Sequence, residues 1–145
     1  MVSNNSSVTL IAGTTGNTLT MDNSGQALSV ASGSALKDST SAVLTLTVAT
    51  GSTGSVAGSI TFFSGAHRLI ATDASSVVFS STGSFTAGTS STGALFTGSN
   101  ATGVIFQSGS SYIQQAASAP TNCTFQAGSW LRYQQNAAVG ISAKT

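Results

Sequence analysis

One phrase recurs along this chain, and recurrence restricts a fold more than composition does, because every copy must find an equivalent place in space. The phrase is an apolar residue, a variable one, Phe, a variable one, Ser or Ala, Gly, a small residue, and then a second short apolar stretch. Its clearest copies are Val104 to Gln114 (VIFQSGSSYIQ) and Cys123 to Tyr133 (CTFQAGSWLRY), and Ile60 to Ile70 (ITFFSGAHRLI) keeps the same three-residue step from Phe to Gly. Val77 to Thr86 (VVFSSTGSFT) and Ala27 to Leu36 (ALSVASGSAL) are looser copies, and Val8 to Ile11 and Val43 to Val48 fit the series as further strands.

Aligning the anchors Phe62, Phe79, Phe106 and Phe125 leaves gaps of 17, 27 and 19 residues, so the reading is a repeat of 17–19 residues with one irregular longer coil around Ala94-Leu95-Phe96. Gly, Ser and Thr are poor helix formers. Leu44-Thr45-Leu46-Thr47-Val48 alternates with period two, which is the pattern of a strand with one buried face. Short strands at this spacing could be hairpins of a sandwich or coils of a solenoid. Hairpins favour Asn-Gly or Asp-Gly turns, and neither dipeptide occurs here. Stacked coils instead bring equal registers into columns. The expected fold is therefore all-β: a parallel β-solenoid of about seven short coils, one domain over 1–145. Phe62, Phe79, Phe106 and Phe125 form its core ladder, and a column of glycines forms its bends.

Composition removes several classes of function. Lys and Arg number 4, Asp and Glu 3, and the net charge is +1. Nucleic-acid binding needs clustered cations to neutralise phosphates, and these four are scattered. No apolar run approaches the roughly 18–20 residues of a membrane helix, so no membrane insertion is expected. Serine and threonine make up about a third of the chain, yet 40% of residues are hydrophobic, which argues for an ordered core over disorder. Cys123 is the only cysteine and cannot form an intramolecular disulfide; it reads as a small core residue.

The segments GSITFFSGAHRLIATDASSVVFSSTGSFTAG (Gly58 to Gly88) and SNATGVIFQSGSSYIQQA (Ser99 to Ala116) resemble repeat regions of large secreted proteins of Bacteroidota, those exported by type IX secretion. NTLTMDNSGQALSVASGSALK (Asn17 to Lys37) is similar to the sequences that precede such regions. The resemblance covers most of the chain. It implies a cell-surface or released protein with a parallel β-helix body, and says little about activity. Such proteins end in a sorting domain, and Ala137 to Thr145 has nothing like it, so the expectation is an internal piece of a longer secreted protein. Asp38-Ser39-Thr40 resembles the short O-glycosylation signal of exported proteins of that phylum, which would place a glycan on Ser39. The Asn-x-Ser/Thr sequons at Asn4, Asn5, Asn100 and Asn122 are what this composition gives by chance.

Candidate sites are few. His67 and Arg68 follow Gly65, and Asp73 lies five residues beyond Arg68. A general base oriented by Asp73 would need a nucleophile or second carboxylate that cannot be assigned, so the group reads as the polar tip of a coil and no catalytic residue is expected. Three isolated aspartates without a glutamate do not assemble the carboxylate pair of a glycosidase, and neither a metal nor a cofactor is expected. Tyr112 shares a register with Phe85 and Leu131 and reads as core. Trp130 falls one register earlier, with Ser111 and His67, and should point outward; with Tyr133 it is the candidate sugar-binding pair. The Thr pairs Thr18/Thr20 and Thr45/Thr47 suggest an ice-binding array, but Thr86, Gln114 and Arg132 stand near that region later, so they read as solvent-facing strand residues.

The sequence thus predicts an extracellular structural or adhesive solenoid module, able to self-associate through its ends into fibres. The alternatives are a carbohydrate-binding module for surface glycans and a degenerate β-helix polysaccharide-active enzyme.

Overall fold

The computed structural model describes residues 1–11, 13, 15–38, 42–115 and 119–134. In chain order its strands are β1 (Ser7–Leu10), β2 (Asn17–Met21), β3 (Gly25–Val30), β4 (Ala35–Asp38), β5 (Leu44–Val48), β6 (Ser52–Val56) and β7 (Ser59–Gly65). There follow β8 (Arg68–Ala71), β9 (Val77–Phe79), β10 (Ser84–Ser91), β11 (Val104–Phe106), β12 (Ser111–Gln114), β13 (Cys123–Phe125) and β14 (Trp130–Tyr133). No helix occurs among the described residues. The strands form three parallel sheets: face A in the order β13-β11-β9-β6-β3, face B in the order β1-β4-β7-β10-β12-β14, and face C in the order β2-β5-β8. The chain runs A to B to C and then starts the next coil, so the fold is a parallel β-solenoid.

Period-two alternation makes each strand contribute alternate side chains to the interior, and parallel register then stacks those side chains coil upon coil. On face A the inner column runs Val2, Val30, Val56, Phe79, Phe106, Phe125. On face B it runs Val8, Leu36, Ile60, Phe85, Tyr112, Leu131. Face C contributes Leu19, Leu46 and Leu69, and the Leu69 N–H donates to the Leu95 carbonyl at 2.8 Å, so the loop around Leu95 and Phe96 is the third side of the next coil.

These registers correct the repeat length. The step from Phe62 to Phe79 crosses from face B to face A, so the 17-residue gap is not a coil. True coils separate Val56 from Phe79 and Phe79 from Phe106, and the 27-residue gap that looked irregular is an ordinary one. The last step, Phe106 to Phe125, is the short coil. Instead of about seven coils, face B holds six strands, and about four coils are three-sided turns. At ~4.8 Å per rung the first and last strands of face B lie about 24 Å apart.

Phe62 is fully buried, but it belongs to face B, where it pairs with Ala87 and meets Phe85 edge-on at 5.3 Å. The continuous ladder is Phe79, Phe106 and Phe125, whose rings stack at centroid distances of 4.6 and 4.8 Å. Beside it Phe85 and Tyr112 form a second stack at 5.6 Å, with Phe96 set edge-on against both.

The recurrent glycines mark two different corners. Gly33, Gly109 and Gly128 bend the chain from face A to face B with φ of +76°, +86° and +82°, a region L side chains rarely enter. In each case the next residue, Ser34, Ser110 or Ser129, closes the turn by donating its N–H three residues back at 3.0 Å. Gly65, which imitates this spacing, sits at the corner from B to C.

Phe106 has a ring partner on each side in its stack and Tyr112 at 5.9 Å across the interior. Phe106→Ala is expected to destabilise the fold by about 3–5 kcal/mol, because rings fixed to their own strands cannot move to fill the cavity. Phe63→Ala, at a half-exposed ring outside the column, should cost far less. Thermal melts of the two variants check this.

Candidate functional site

The polar group that most resembles a site lies inside the solenoid, at the corner where face B turns to face C. β4 ends on Asp38, whose side chain points inward because Leu36, two residues earlier, does. One coil later the chain between β7 and β8 brings His67 to the same corner. Its Nε2 lies 2.5 Å from Asp38 Oδ2, and both side chains are completely buried. The Leu44 N–H donates to His67 Nδ1 at 2.9 Å, and the Phe63 N–H donates to Asp38 Oδ1 at 2.7 Å.

This geometry fixes the protonation pattern. A ring nitrogen that accepts a backbone N–H carries no proton, so in the neutral imidazole the proton is on Nε2, the nitrogen that lies against the Asp38 carboxylate. Both side chains are completely buried, so the pair is closed to a substrate. What it does is structural. Registered pairing of β4 with β7 runs to Lys37 and Thr61, and pairing of β5 with β8 starts at Thr45 and Arg68. Between these ladders, Asp38 and His67 give the Phe63 and Leu44 amides acceptors that the backbone does not supply.

The expectation that His67 is the polar tip of a coil is therefore corrected, and the alternative of a base oriented by Asp73 does not form either. Asp73 lies on another corner, where its Oδ2 accepts from the Gly51 N–H at 2.7 Å. Nor does His67 share the register of Trp130, which belongs to Ser59, Ser84 and Ser111. Sequence reasoning missed the pair because Asp38 and His67 match no spaced motif; they meet only through the coil period, which the Phe62 alignment had obscured.

Trp130 does face outward, with 56% of its surface exposed. Arg132 lies on the same outer face, its guanidinium 5.8 Å from the indole centroid. Tyr133 alternates to the inner side and pairs in register with Gln114, so Trp130 and Tyr133 do not form one platform. Tyr112 is buried in the core, and burial, followed by the neighbouring Cys123 and Tyr133, pushes its phenol well above the ordinary tyrosine value. Cys123 is half-buried and packs against the core from β13. The Asn122 amide is structural: it donates to the Phe96 and Ser99 carbonyls at 3.4 and 3.1 Å. Ser39 lies outside the described residues.

On face C, Thr18 stacks on Thr45 and Thr20 on Thr47, but Arg68 and Ile70 hold the next rung, so the array is two coils deep. Thr86, Gln114 and Arg132 belong to face B.

Both ends of the stack are open among the described residues: β1 and β2 are edge strands at one end, β13 and β14 at the other. Inward-registered apolar residues surface there, Val8 at 38% and Leu19 at 46% on the first coil and Leu131 at 39% on the last. No group of three His, Cys, Asp or Glu side chains placed to hold a metal ion is found among the described residues, and no helix there is long and apolar enough to cross a membrane. No protein-family model, curated protein or solved structure matches this sequence.

Removing one partner of a buried pair leaves the other uncompensated, and Asp38→Ala also orphans the Phe63 amide. The expected loss is about 3–5 kcal/mol, read by urea unfolding. Asp73→Ala, at an exposed corner, should cost about 1 kcal/mol or less.

Proposed function

We propose that this solenoid is an extracellular structural or adhesive module, a stiff spacer or surface element of a secreted repeat protein. The observation that carries the reading is the unbroken stacking of inner columns through six rungs of face B, with the buried Asp38–His67 pair spent on holding a corner. A body made this way resists deformation, because each coil is hydrogen-bonded to its neighbours along whole strands and its interior is keyed by interleaved rings. The place outside the cell rests on the resemblance read from the sequence of Gly58 to Gly88 and Ser99 to Ala116 alone.

A second reading, carbohydrate binding, is favoured by one feature, the exposed Trp130 indole on a flat sheet face. Arg132 already lies against that ring, and no second aromatic shares the outer face of β14. An enzymatic role has no such support, since the acid–base pair is sealed from substrate.

A glycan array probed with the chain and with Trp130→Ala separates the two readings. The structural reading expects no glycan signal above background for either protein. A signal with the parent chain that Trp130→Ala abolishes would replace it with the carbohydrate-binding one.

A further inference from the structure

The charges of this chain are sorted by face. Face B carries Lys37 and Arg132 in one outer column, and no acid stands at an outward position of its six strands. The two acids outside the core, Asp22 and Asp73, follow β2 and β8 at the corner from face C to face A. Arg132 is exposed, and no carboxylate pairs with it among the described residues. Its guanidinium instead lies over the Trp130 ring at 5.8 Å, and Trp130 keeps 56% of its surface open. Ser111 and Ile113 stand beside the two in register, with Ser84 and Thr86 one rung further.

We propose that the Trp130–Arg132 pair is a docking point for an acidic segment of a partner protein: one carboxylate of the segment takes the guanidinium, and an apolar side chain beside it lies against the open part of the indole and Ile113. This deepens the adhesive side of the structural reading and rests on it.

Chemistry selects this occupant. A guanidinium offers its N–H donors in a planar fork that fits a carboxylate two bonds at a time. Contact with the ring holds the Arg132 side chain beforehand, so less rotamer freedom is lost when the carboxylate arrives. Trp and Arg are also the residues that most often carry binding energy at protein interfaces. A polyanion fits less well. Lys37, the other cation of the column, stands four rungs away, ~19 Å, beyond the Debye length of ~8 Å at physiological salt, so Arg132 acts on a single carboxylate. A sugar fits less well too, because Arg132 already lies over the ring on which it would stack, and no second aromatic shares the outer face of β14. The hydroxyls of Ser111, Ser84 and Thr86 supply the polar surround that a partner's backbone needs.

Trp130 is the only tryptophan of the chain, so tryptophan fluorescence reports this site alone. The test titrates the full chain with the end-blocked tripeptide Glu-Leu-Glu and with its uncharged counterpart Gln-Leu-Gln. Glu-Leu-Glu should produce a saturable change in Trp130 emission, and Gln-Leu-Gln none over the same range. Arg132→Lys keeps the charge but loses the fork, and should weaken the apparent affinity about tenfold. Arg132→Glu should lose Glu-Leu-Glu and gain the end-blocked Lys-Leu-Lys. Both substitutions are at an exposed position, so the fold is kept, which a circular dichroism melt verifies. Absence of a saturable change with Glu-Leu-Glu overturns the proposal, as does an equal change with Gln-Leu-Gln or undiminished binding by Arg132→Lys. Glucuronate that saturates the signal at a lower concentration than Glu-Leu-Glu overturns it in favour of an acidic sugar. A null result with the peptides still leaves the stiff spacer of the structural reading, which fails only on the glycan array, so the two failures are read apart.

Discussion

Everything in this molecule depends on parallel register, the rule that a residue in one coil lies directly over its counterpart in the next. Backbone hydrogen bonds between coils set the ~4.8 Å step, and that step places each side chain on another of the same orientation. Rings then stack on rings: Phe79, Phe106 and Phe125 lie nearly parallel, with interplanar angles of 11° and 10°. Aliphatics, joined by Phe62, fill the coils where face C has a strand, and aromatics dominate from β9 and β10 onward, where it has none. The interior is therefore a set of columns, and a change in one coil is felt first by the coils above and below.

Register must be interrupted at corners, and the A-to-B and B-to-C corners solve that problem differently. From A to B, left-handed glycines allow a tight turn that a following serine closes with its own amide. At two of the five glycine corners the demand is for space. A Cβ on Gly58 would collide with the Ser34 carbonyl, and one on Gly83 with the Val56 carbonyl. From B to C, the Leu44 and Phe63 amides are taken up by side chains of the interior. Asp38 and His67 supply acceptors, and the two side chains lie against each other in the interior.

The fold class was legible because alternation and recurrence are local. Tyr112 could be assigned to the core because Phe85 and Leu131 share its distance from a phenylalanine in the same pair of faces. The coil length was not legible, because two different corners carry Phe and Gly at the same three-residue spacing. Phe62–Gly65 at the B-to-C corner imitates Phe106–Gly109 and Phe125–Gly128 at the A-to-B corner. A sequence does not say which face a phrase belongs to. The same ambiguity hid the Asp38–His67 pair and misplaced His67 beside Trp130, since both depend on knowing where one coil ends.

The scarcity of charge follows from the same rule. In a stack, any register that carries a charge in one coil lies a single rung from the same register in the next. A repeated Lys or Asp would then line up like charges at close range, which destabilises a sheet. Face B shows how the chain avoids this. Its outer column runs Thr9, Lys37, Thr61, Thr86, Ile113, Arg132, with three uncharged rungs between the two cations. Its neighbouring column is Ser7, Ala35, Ser59, Ser84 and Ser111 before Trp130. Hydroxyl side chains keep the surface wet without adding charge, and β-branched Thr suits the extended backbone. A composition that suggests disorder in an arbitrary chain is, in a stacked one, what the outer columns require.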